Sequence, residues 1–479
     1  MKRLALITIL FLGAITRAQV PVEQPDQDLS QELNPEVLSL AEYLGYVKSF
    51  HPVVKQANLV INEGEAKLLK ARGAFDPKLE VDMDRKEFKS TDYYDKLNAA
   101  FKIPTWYGVE FQAKYEENSG VFLNPESTVP EDGLYSVGVS VSLAQGLLTN
   151  RRMAMLKQAR LFNKQVQADR QLMVNDILFE AAQTYFKWLK TYNDKQVYDS
   201  FLYNAEFRLE GIKKSYEAGE FPAIDTLEAG IIVQTRNLAY ENARMTHVKA
   251  SLELATFLWL DNNTPIELQD NVIPDTNTLI GVDEALNTSG VNLEMLDLEN
   301  HPKLRSLGYK YEGLIVEKRL KANNLLPRID LEYNLYSETP GYIDSYNTSN
   351  YMAGLNVNFP LFLRKERGDL KLAKAKVQSA EFEIAATRVS LKNKIEAIYQ
   401  EMESYLLQNA ITEDMVRDYE SLLKAEERKF FLGESFLFLI NSRESKLIEA
   451  RLKANEIENK YFNSKASLFN TLGYLGVSS

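Results

Sequence analysis

The chain has 479 residues, no cysteine and a formal net charge of −11. The absence of cysteine excludes disulfide bonds and thiolate metal sites, and the negative charge argues against nucleic acid as a general partner. The sequence contains three histidines and shows no catalytic triad, glycine-rich phosphate loop or histidine cluster. We therefore expect no enzymatic activity, no metal site and no cofactor.

Residues 1–19 have the pattern of a secretory signal peptide. Lys2 and Arg3 precede an apolar run that ends at Ile15, and a small-residue exit follows around Ala18. The run is shorter than the roughly 20 apolar residues that a membrane-spanning helix needs, and no other stretch reaches that length. The sequence therefore predicts an exported protein without a helical membrane anchor.

The most informative feature is an internal duplication, which predicts repeats at 51–260 and 301–475. His51-Pro52 opens an apolar-periodic stretch that ends at Pro77, and His301-Pro302 opens another that ends at Pro327. Because the spacing is the same, one architectural unit is used twice. We interpret each His-Pro pair as a helix start, since proline is preorganised for the first helical position and the residue before it is a boundary. Metal binding by the two histidines is the alternative.

Each copy also contains 64 consecutive residues without glycine or proline, at 147–210 and at 369–432. Apolar residues recur there at steps of three, four and seven, which favours helices packed side by side along their length. Such a helix is about 96 Å long. Shorter helices, stacked end to end in two pairs, would match that length. They are predicted at 52–76, 223–260, 302–326 and 434–472.

Several segments alternate apolar and polar residues with the period of a β-strand. They are predicted at 78–88, 95–104, 109–117, 134–145, 328–338 and 350–360. Each is about as long as a tilted strand that crosses a bilayer. A soluble sheet with one wet face is the alternative, but no candidate helix covers the apolar face. A membrane β-barrel is therefore predicted. Its lipid-facing residues would include Phe101, Phe111, Val139 and Leu331, and its water-facing residues Glu110, Lys114 and Glu332.

In the order and doubled spacing of these features, the chain resembles the TolC-like outer-membrane efflux protein family. Three features carry the resemblance besides the His-Pro starts: the strand exit Asn358–Phe362 before Arg364-Lys365, and the turns Tyr216-x-x-Gly219 and Phe430-x-x-Gly433. The resemblance implies an α+β membrane protein. Its internally duplicated chains would form a trimeric transmembrane β-barrel that continues into a long periplasmic α-helical coiled-coil barrel with an equatorial collar.

Each segment of the chain has an expected place in that fold. The equatorial region takes 30–50 and 262–300, the α-barrel takes 51–77, 146–260, 301–327 and 361–475, and the β-barrel takes 78–145 and 328–360. Family members often contribute four strands per chain, whereas six are predicted here. A trimer would then have a wider barrel of about 18 strands.

The resemblance also implies a function, an exit duct for efflux or type I secretion in the cell outer membrane. The homotrimer would extend into the periplasm and dock an inner-membrane pump through a periplasmic adaptor (membrane fusion) protein. Outer-membrane lipid would surround the barrel, and nucleic acid is not expected as a partner. The alternative is a coiled-coil spacer or adhesin that is anchored in the outer membrane and has no channel.

Two turns at the far end of the helices are the predicted contacts for the adaptor. They comprise Gly219, Glu220 and Phe221 in the first copy, and Gly433, Glu434, Ser435 and Phe436 in the second. Turn chemistry accounts for the glycines, but an apolar run from Phe436 to Phe438 at a solvent-exposed end favours a partner surface. The segment 249–252 recurs at 465–468 with a shift of 216, whereas the turn glycines differ by 214. The second turn is therefore expected to contain about two extra residues.

The helix starts after these turns supply the predicted pore gate. The candidates are Asp225, Glu228, Asn441, Arg443 and Glu444. The family commonly has acidic residues six and nine positions after the second turn glycine, where this chain has Leu439 and Ser442; Asn441 and Glu444 allow for the expected extra residues. Converging carboxylates would favour cations, and a solvated helix face is the alternative. Arg443 is expected to pair with Asp225 or Glu228 of a neighbouring helix column.

Overall fold

The computed structural model describes residues 36–288, 297–339 and 346–473. The predicted signal peptide and the parts of the predicted equatorial region at 30–35 and 289–296 lie outside these residues. None of the helices described is both long enough and apolar enough to cross a membrane.

The described residues form eight α-helices and ten β-strands. The helices are α1 (Leu40–Phe50), α2 (Pro52–Arg72), α3 (Arg151–Glu217), α4 (Ala223–Ala255), α5 (Thr278–Ala285), α6 (Pro302–Asn323), α7 (Arg364–Phe431) and α8 (Leu437–Leu472). The strands are β1 (Glu36–Leu38), β2 (Lys78–Phe88), β3 (Thr91–Pro104), β4 (Val109–Ser119), β5 (Leu134–Ser142), β6 (Trp259–Leu260), β7 (Thr264–Pro265), β8 (Val272–Pro274), β9 (Arg328–Ser337) and β10 (Tyr351–Asn358).

The main sheet has six antiparallel strands in the order β10-β9-β5-β4-β3-β2. Its register pairs odd-numbered with odd-numbered residues in every ladder, up to a bulge between Lys86 and Glu87. Because side chains alternate along a strand, all six strands place their odd residues on one face. That face is the apolar one, and it is uncovered: Leu79 on β2 is 71% exposed and Leu355 on β10 is 64% exposed.

The predicted strands match the observed ones closely, except at the start of β3. The sequence predicts that this strand begins at residue 95, whereas β3 begins at Thr91. Lys89 and Ser90 both have positive φ, 52° and 57°, and they form a two-residue turn that suits the right-handed twist of a hairpin. Since neither residue is glycine or asparagine, their types do not signal this turn.

Beyond the sheet, the helices form a wall. Next to the sheet the neighbours run in the order α2-α3-α6-α7, and farther away in the order α4-α3-α8-α7. The long helices α3 and α7 have 67 and 68 residues, about 100 Å each. They exceed the glycine-free runs because Gly211 and Gly368 lie inside them with no atom within 4 Å of an added Cβ.

Each His-Pro pair lies where two shorter helices meet end to end. His301 Nδ1 accepts a hydrogen bond from the Lys303 N–H (3.1 Å), which caps α6. Its Nε2 then carries the proton and donates to the Thr471 carbonyl (2.9 Å) at the end of α8. His51 caps α2 in the same way through the Val53 N–H, and its ring stacks on Phe257, which follows α4. The two histidines are thus helix caps that also join helices.

The largest apolar cluster lies halfway along α3, where α1 packs against α3 and α5 packs against α1 and α8. Tyr185, Phe186 and Trp188 are fully buried there. The Tyr185 hydroxyl donates to the Leu38 carbonyl (2.8 Å), which fixes the short β1–β8 pair against the helix. Parts of the predicted equatorial segments 30–50 and 262–300 therefore pack around the middle of the wall.

Candidate functional sites on the polar sheet face and at the helix turns

The polar face of the sheet carries a connected side-chain network. Gln112 Nε2 donates to Glu332 Oε1 (2.6 Å) and to Asn334 Oδ1 (2.8 Å), and Lys114 Nζ lies 3.0 Å from the same Glu332 oxygen. These residues belong to β4 and β9, which flank β5. They meet because β5 has Gly138 between them, where a Cβ would lie 1.9 Å from Asn334 Oδ1. The network gives this face a fixed, charged and hydrogen-bonded surface.

A cavity of about 970 Å³ continues this face into the start of the helical wall. Its charged lining is largely paired. Arg152 at the start of α3 binds Glu110 (2.8 Å), and Arg328 binds Asp330 (2.7 Å). Opposite charges in such balance favour a wet surface without a strong preference for one sign of ion. Over the ranges that the structure covers, no group of three or more His, Cys, Asp or Glu could hold a metal ion.

The two turns at the far end have the same backbone geometry. Gly219 and Gly433 have φ of +81° and +76°. In each turn the glycine N–H bonds the carbonyl three residues earlier, and the next N–H bonds the carbonyl five residues before it, all at 2.9 Å. This pair of hydrogen bonds is typical of a helix that ends with a glycine in the left-handed region.

The prediction of two extra residues in the second turn is wrong. Five residues separate the helices in both copies, 218–222 and 432–436. The additional residues lie in the return helices, since α4 has 33 residues and α8 has 36. By position after the turn, Leu439 and Ser442 therefore match Asp225 and Glu228. A helix can lengthen without changing its turn, which is why the shift in sequence pointed to the wrong place.

Large apolar side chains are exposed around both turns. In the second turn Phe431 is 89% exposed, Phe436 77% and Phe438 68%, whereas Leu437 is buried against Ile212 and Ala229. In the first turn Phe221 stacks on Phe430 from the second repeat of the same chain, with 5.8 Å between the ring centres. The two turns therefore lie side by side. Gly219, Glu220, Gly433 and Glu434 are exposed beside them, and Ser435 donates to Glu426 (2.6 Å).

Glu444, one of the gate candidates, is completely buried between helices. Its carboxylate lies 2.7 Å from Arg208 Nη2 on α3 and 3.2 Å from Arg236 Nε on α4. Arg236 also donates to Ser445 Oγ (3.0 Å). We call Glu444, Arg208 and Arg236 the buried ion cluster. Because it links α3, α4 and α8, it ties the two turns of one chain together.

The other gate candidates lie near this cluster. Asn441 is buried; its amide donates to Glu228 Oε1 (3.4 Å) and its oxygen accepts from Arg208 (3.4 Å). Asp225 is half-buried in the first turn of α4. Arg443 Nε lies 3.6 Å from Glu426 Oε2 on α7 of the same chain. The Ser435 hydroxyl, and next the nearby Lys429 and Arg443 charges, lower the pKa of Glu426. Pairing of Arg443 with a neighbouring column stays a prediction.

Sequence reasoning did not single out Arg208 and Arg236. Both lie in helices rich in charged residues, and no local pattern separates a buried arginine from a solvated one. The two arginines can be recognised only together with Glu444, because each faces that carboxylate from its own helix. This alignment depends on the packing of three helices.

Comparison with known protein families gives one match, which covers the second copy. The family model for the outer membrane efflux protein matches residues 297–474. No curated protein matches the sequence significantly.

Several solved structures share the fold at low sequence identity. One is the outer membrane protein VceC from Vibrio cholerae, with a TM-score of 0.64, 12% identity, and coverage of 91% of this chain and 96% of that chain. Another is the Campylobacter jejuni CmeC outer membrane channel, with a TM-score of 0.62, 13% identity, and coverage of 96% of this chain and 94% of that chain. The open state of the Neisseria gonorrhoeae MtrE outer membrane channel has a TM-score of 0.63 and 14% identity, with coverage of 91% of this chain and 88% of that chain.

Proposed function

We propose, from the premise that this chain is similar over residues 297–474 to the outer membrane efflux protein family, that it forms an exit duct for efflux in the outer membrane. The resemblance predicted from the sequence is confirmed by that match and by the shared fold of outer-membrane channels. The protein would extend into the periplasm, and its transport would be passive, with energy supplied by a partner pump.

One observation carries the proposal: the six strands share one uncovered apolar face, and the opposite face is polar, with charged residues on β2, β3, β4 and β9. In water an uncovered apolar sheet face of this size would aggregate, whereas in a bilayer it meets hydrocarbon. The polar face, with Lys114 and Glu332 held in a network, then lines an aqueous lumen. A spacer or adhesin has no need for such a wet inner face.

Closure of the barrel requires further copies of the chain. The edge strands β2 and β10 have unpaired backbone groups, which hydrocarbon does not tolerate. Because the sheet has six antiparallel strands, its two edge strands run in opposite directions. Strand β2 of one chain can therefore pair antiparallel with β10 of the next chain. The wall has matching edges, α2 above α4 on one side and α7 on the other. A homotrimer with about 18 strands is the proposed assembly.

The turns form the contact for a periplasmic adaptor. Their exposed aromatic residues, Phe431, Phe436 and Phe438, make an apolar patch at the end farthest from the sheet. Such a patch is typical of a docking surface, and aromatic residues are enriched in such contacts. The contact would comprise Gly219 to Phe221 and Gly433 to Phe436.

The pore gate lies just above these turns. Asp225 and Glu228 at the start of α4 are the carboxylates that three copies would bring together, and they would favour cations. Asn441, Arg443 and Glu444 contribute from α8, with Glu444 acting through the buried ion cluster because its carboxylate is enclosed. Arg443, next to Glu426, is the residue that is free to exchange partners between copies.

Single-channel recording in planar bilayers tests the proposal. The full chain should give ion-conducting events, and Lys114→Gln should change ion selectivity without loss of folded protein. Phe111→Tyr, on the apolar face of the same strand, is the matched control and should leave selectivity unchanged. A folded oligomer that inserts into membranes but never conducts would contradict the duct and favour the spacer or adhesin.

A further inference from the structure

Basic residues concentrate where the sheet meets the helical wall. The four segments that meet there are 67–78, 151–160, 317–328 and 364–371. Each segment carries four Lys or Arg, and the four segments together contain only four Asp or Glu. Their net charge is therefore +12, whereas the net charge of the whole chain is −11. Charge is therefore strongly segregated along the molecule.

Few of these sixteen cations are neutralised inside the chain. In the part of the chain that the structure describes, three of them form ion pairs: Arg152, Lys321 and Arg328. All three line the cavity on the polar face. Most of the others are exposed, so an anionic partner outside the chain can reach them.

A groove with three of the neighbouring cations lies on the other side of the wall. It has a volume of about 620 Å³, and Lys157, Arg160 and Lys164 of α3 line it above apolar contacts from α2 and α6. Leu68 comes from α2 and Val316 from α6, and Leu161 of α3 itself adds a third apolar residue. We call it the basic groove.

The position of the basic groove follows from helix geometry. At about 100° per residue, residues 157, 160 and 164 share one face of α3, roughly opposite Arg151. No residue of the basic groove lines the cavity on the polar face, whereas Arg151 and Arg152 do. The groove therefore opens on the same side of the wall as the apolar face of the sheet.

Aromatic residues mark the same level. Lys157 Nζ lies 5.9 Å from the centre of the Trp106 ring, and Tyr107 beside it is 57% exposed. Tryptophan and tyrosine are enriched where a membrane protein passes from hydrocarbon to headgroups. Lys157 is about 10 Å along α3 from the helix start, within reach of the headgroup layer.

We propose that the basic groove binds the phosphate headgroup of an anionic phospholipid in the leaflet next to the helical wall. The three cations attract the negative phosphate of the headgroup, and the apolar floor accepts the glycerol and upper acyl region. The inference rests on the membrane location proposed for the sheet. Each cation near a membrane surface contributes about a fivefold gain in affinity, so loss of all three should weaken binding on the order of a hundredfold.

Native mass spectrometry of the full chain in mild detergent tests the site. The delipidated protein is titrated with dioleoyl phosphatidylglycerol or, as the neutral probe, dioleoyl phosphatidylcholine. The groove variant is Lys157→Gln/Arg160→Gln/Lys164→Gln. The control, Lys214→Gln/Lys249→Gln/Lys424→Gln, makes the same charge change at exposed residues far from the sheet. Arg160→Gln alone should lower binding about fivefold, and it replaces the triple variant should that fail to fold.

The expected result is tighter binding of phosphatidylglycerol by the natural chain and the control, and loss of that preference in the groove variant. Unchanged preference in a folded groove variant overturns the proposal. Tighter binding of polyglutamate than of phosphatidylglycerol also overturns it and makes the groove a protein-docking surface. Equal binding of both lipids removes only this inference, whereas binding of neither lipid by any variant contradicts the membrane location itself.

Discussion

The two copies build the same long helix but different amounts of sheet. The first copy supplies four strands of the main sheet and the second supplies two, whereas α3 and α7 have 67 and 68 residues. A pair of antiparallel strands can be added to a sheet because its hydrogen bonds are completed within the pair and with the strands beside it. A long helix in a wall must match its neighbours at both ends. Strand number can therefore change where helix length cannot.

The copies also differ in how deeply their long helices are enclosed. Helix α3 has neighbours on both sides and carries the equatorial elements at its middle, so Trp188 is fully buried. Helix α7 lies at the edge of the wall, and at the same level Met402 belongs to a smaller cluster with Leu468. In one chain α3 is the structural centre and α7 is the surface that a further copy would meet.

The largest expected effect comes from truncating the centre of α3. Trp188→Ala should lower the free energy of unfolding by about 4 kcal/mol, because it leaves a cavity in the main cluster, whereas Met402→Ala should cost about 2 kcal/mol. Urea unfolding followed by far-ultraviolet circular dichroism measures both. Equal losses would show that the enclosure of α3 and α7 does not differ.

The buried ion cluster should show the next effect, and only the return helix of the second copy, α8, supplies its carboxylate. Glu444→Gln leaves Arg208 and Arg236 without their shared carboxylate, which should destabilise the turn region by about 3 kcal/mol. Hydrogen exchange at 205–240 and 436–450 should accelerate. Glu449→Gln, which removes an exposed carboxylate from the same helix, should change little. Protection that is lost equally in both variants would contradict the role of the cluster.

The turns provide a test in which the copies should behave alike. Gly219→Ala and Gly433→Ala meet no atom within 4 Å, so the cost is the left-handed backbone alone, about 1 kcal/mol in each copy. Limited proteolysis at the turns measures it. A much larger effect in one turn would mean that its glycine has a further role, such as close contact with a partner.

The smallest effect concerns pH and sets the first copy apart. Burial, with a smaller contribution from Lys195, lowers the pKa of His247 from 6.5 to about 4. The unfolded chain therefore binds more protons between these values, and stability should fall as the pH drops from 6.5 toward 4. Because the ring is only half-buried, we expect about 1 kcal/mol. By the 216-residue shift, the second copy has Asn463 at this place. His247→Asn should flatten the dependence of melting temperature on pH; an unchanged slope would assign it to other groups.

Much of the fold could be predicted because its periodicity is local. Strand alternation predicts the six strands of the main sheet to within four residues, and the glycine-free runs predict the two long helices to within seven residues at each end. The partition of the faces, with Phe111 opposite Glu110, also follows from alternation alone. These patterns suffice because each element buries or exposes whole faces rather than single residues.

The tertiary details could not be predicted in this way. The burial of Glu444 depends on Arg208 and Arg236, which come from two other helices. The double use of His301 as a cap for α6 and a donor to Thr471 requires that α8 ends directly beneath it. Such contacts join residues that are far apart in the sequence, and a single sequence contains no local signal for them.

The additional strands of the first copy, β3 and β4, have a consequence for the width of the sheet. Strands about 4.8 Å apart and tilted by about 40° occupy roughly 6 Å of circumference each, so six of them span about 38 Å. Four helices packed 8–10 Å apart span about 32–40 Å. A chain with four strands would cover only about 25 Å above the same four helices. The extra pair of strands therefore makes the sheet as wide as the wall beneath it, and in the proposed duct the passage would keep its diameter where strands give way to helices.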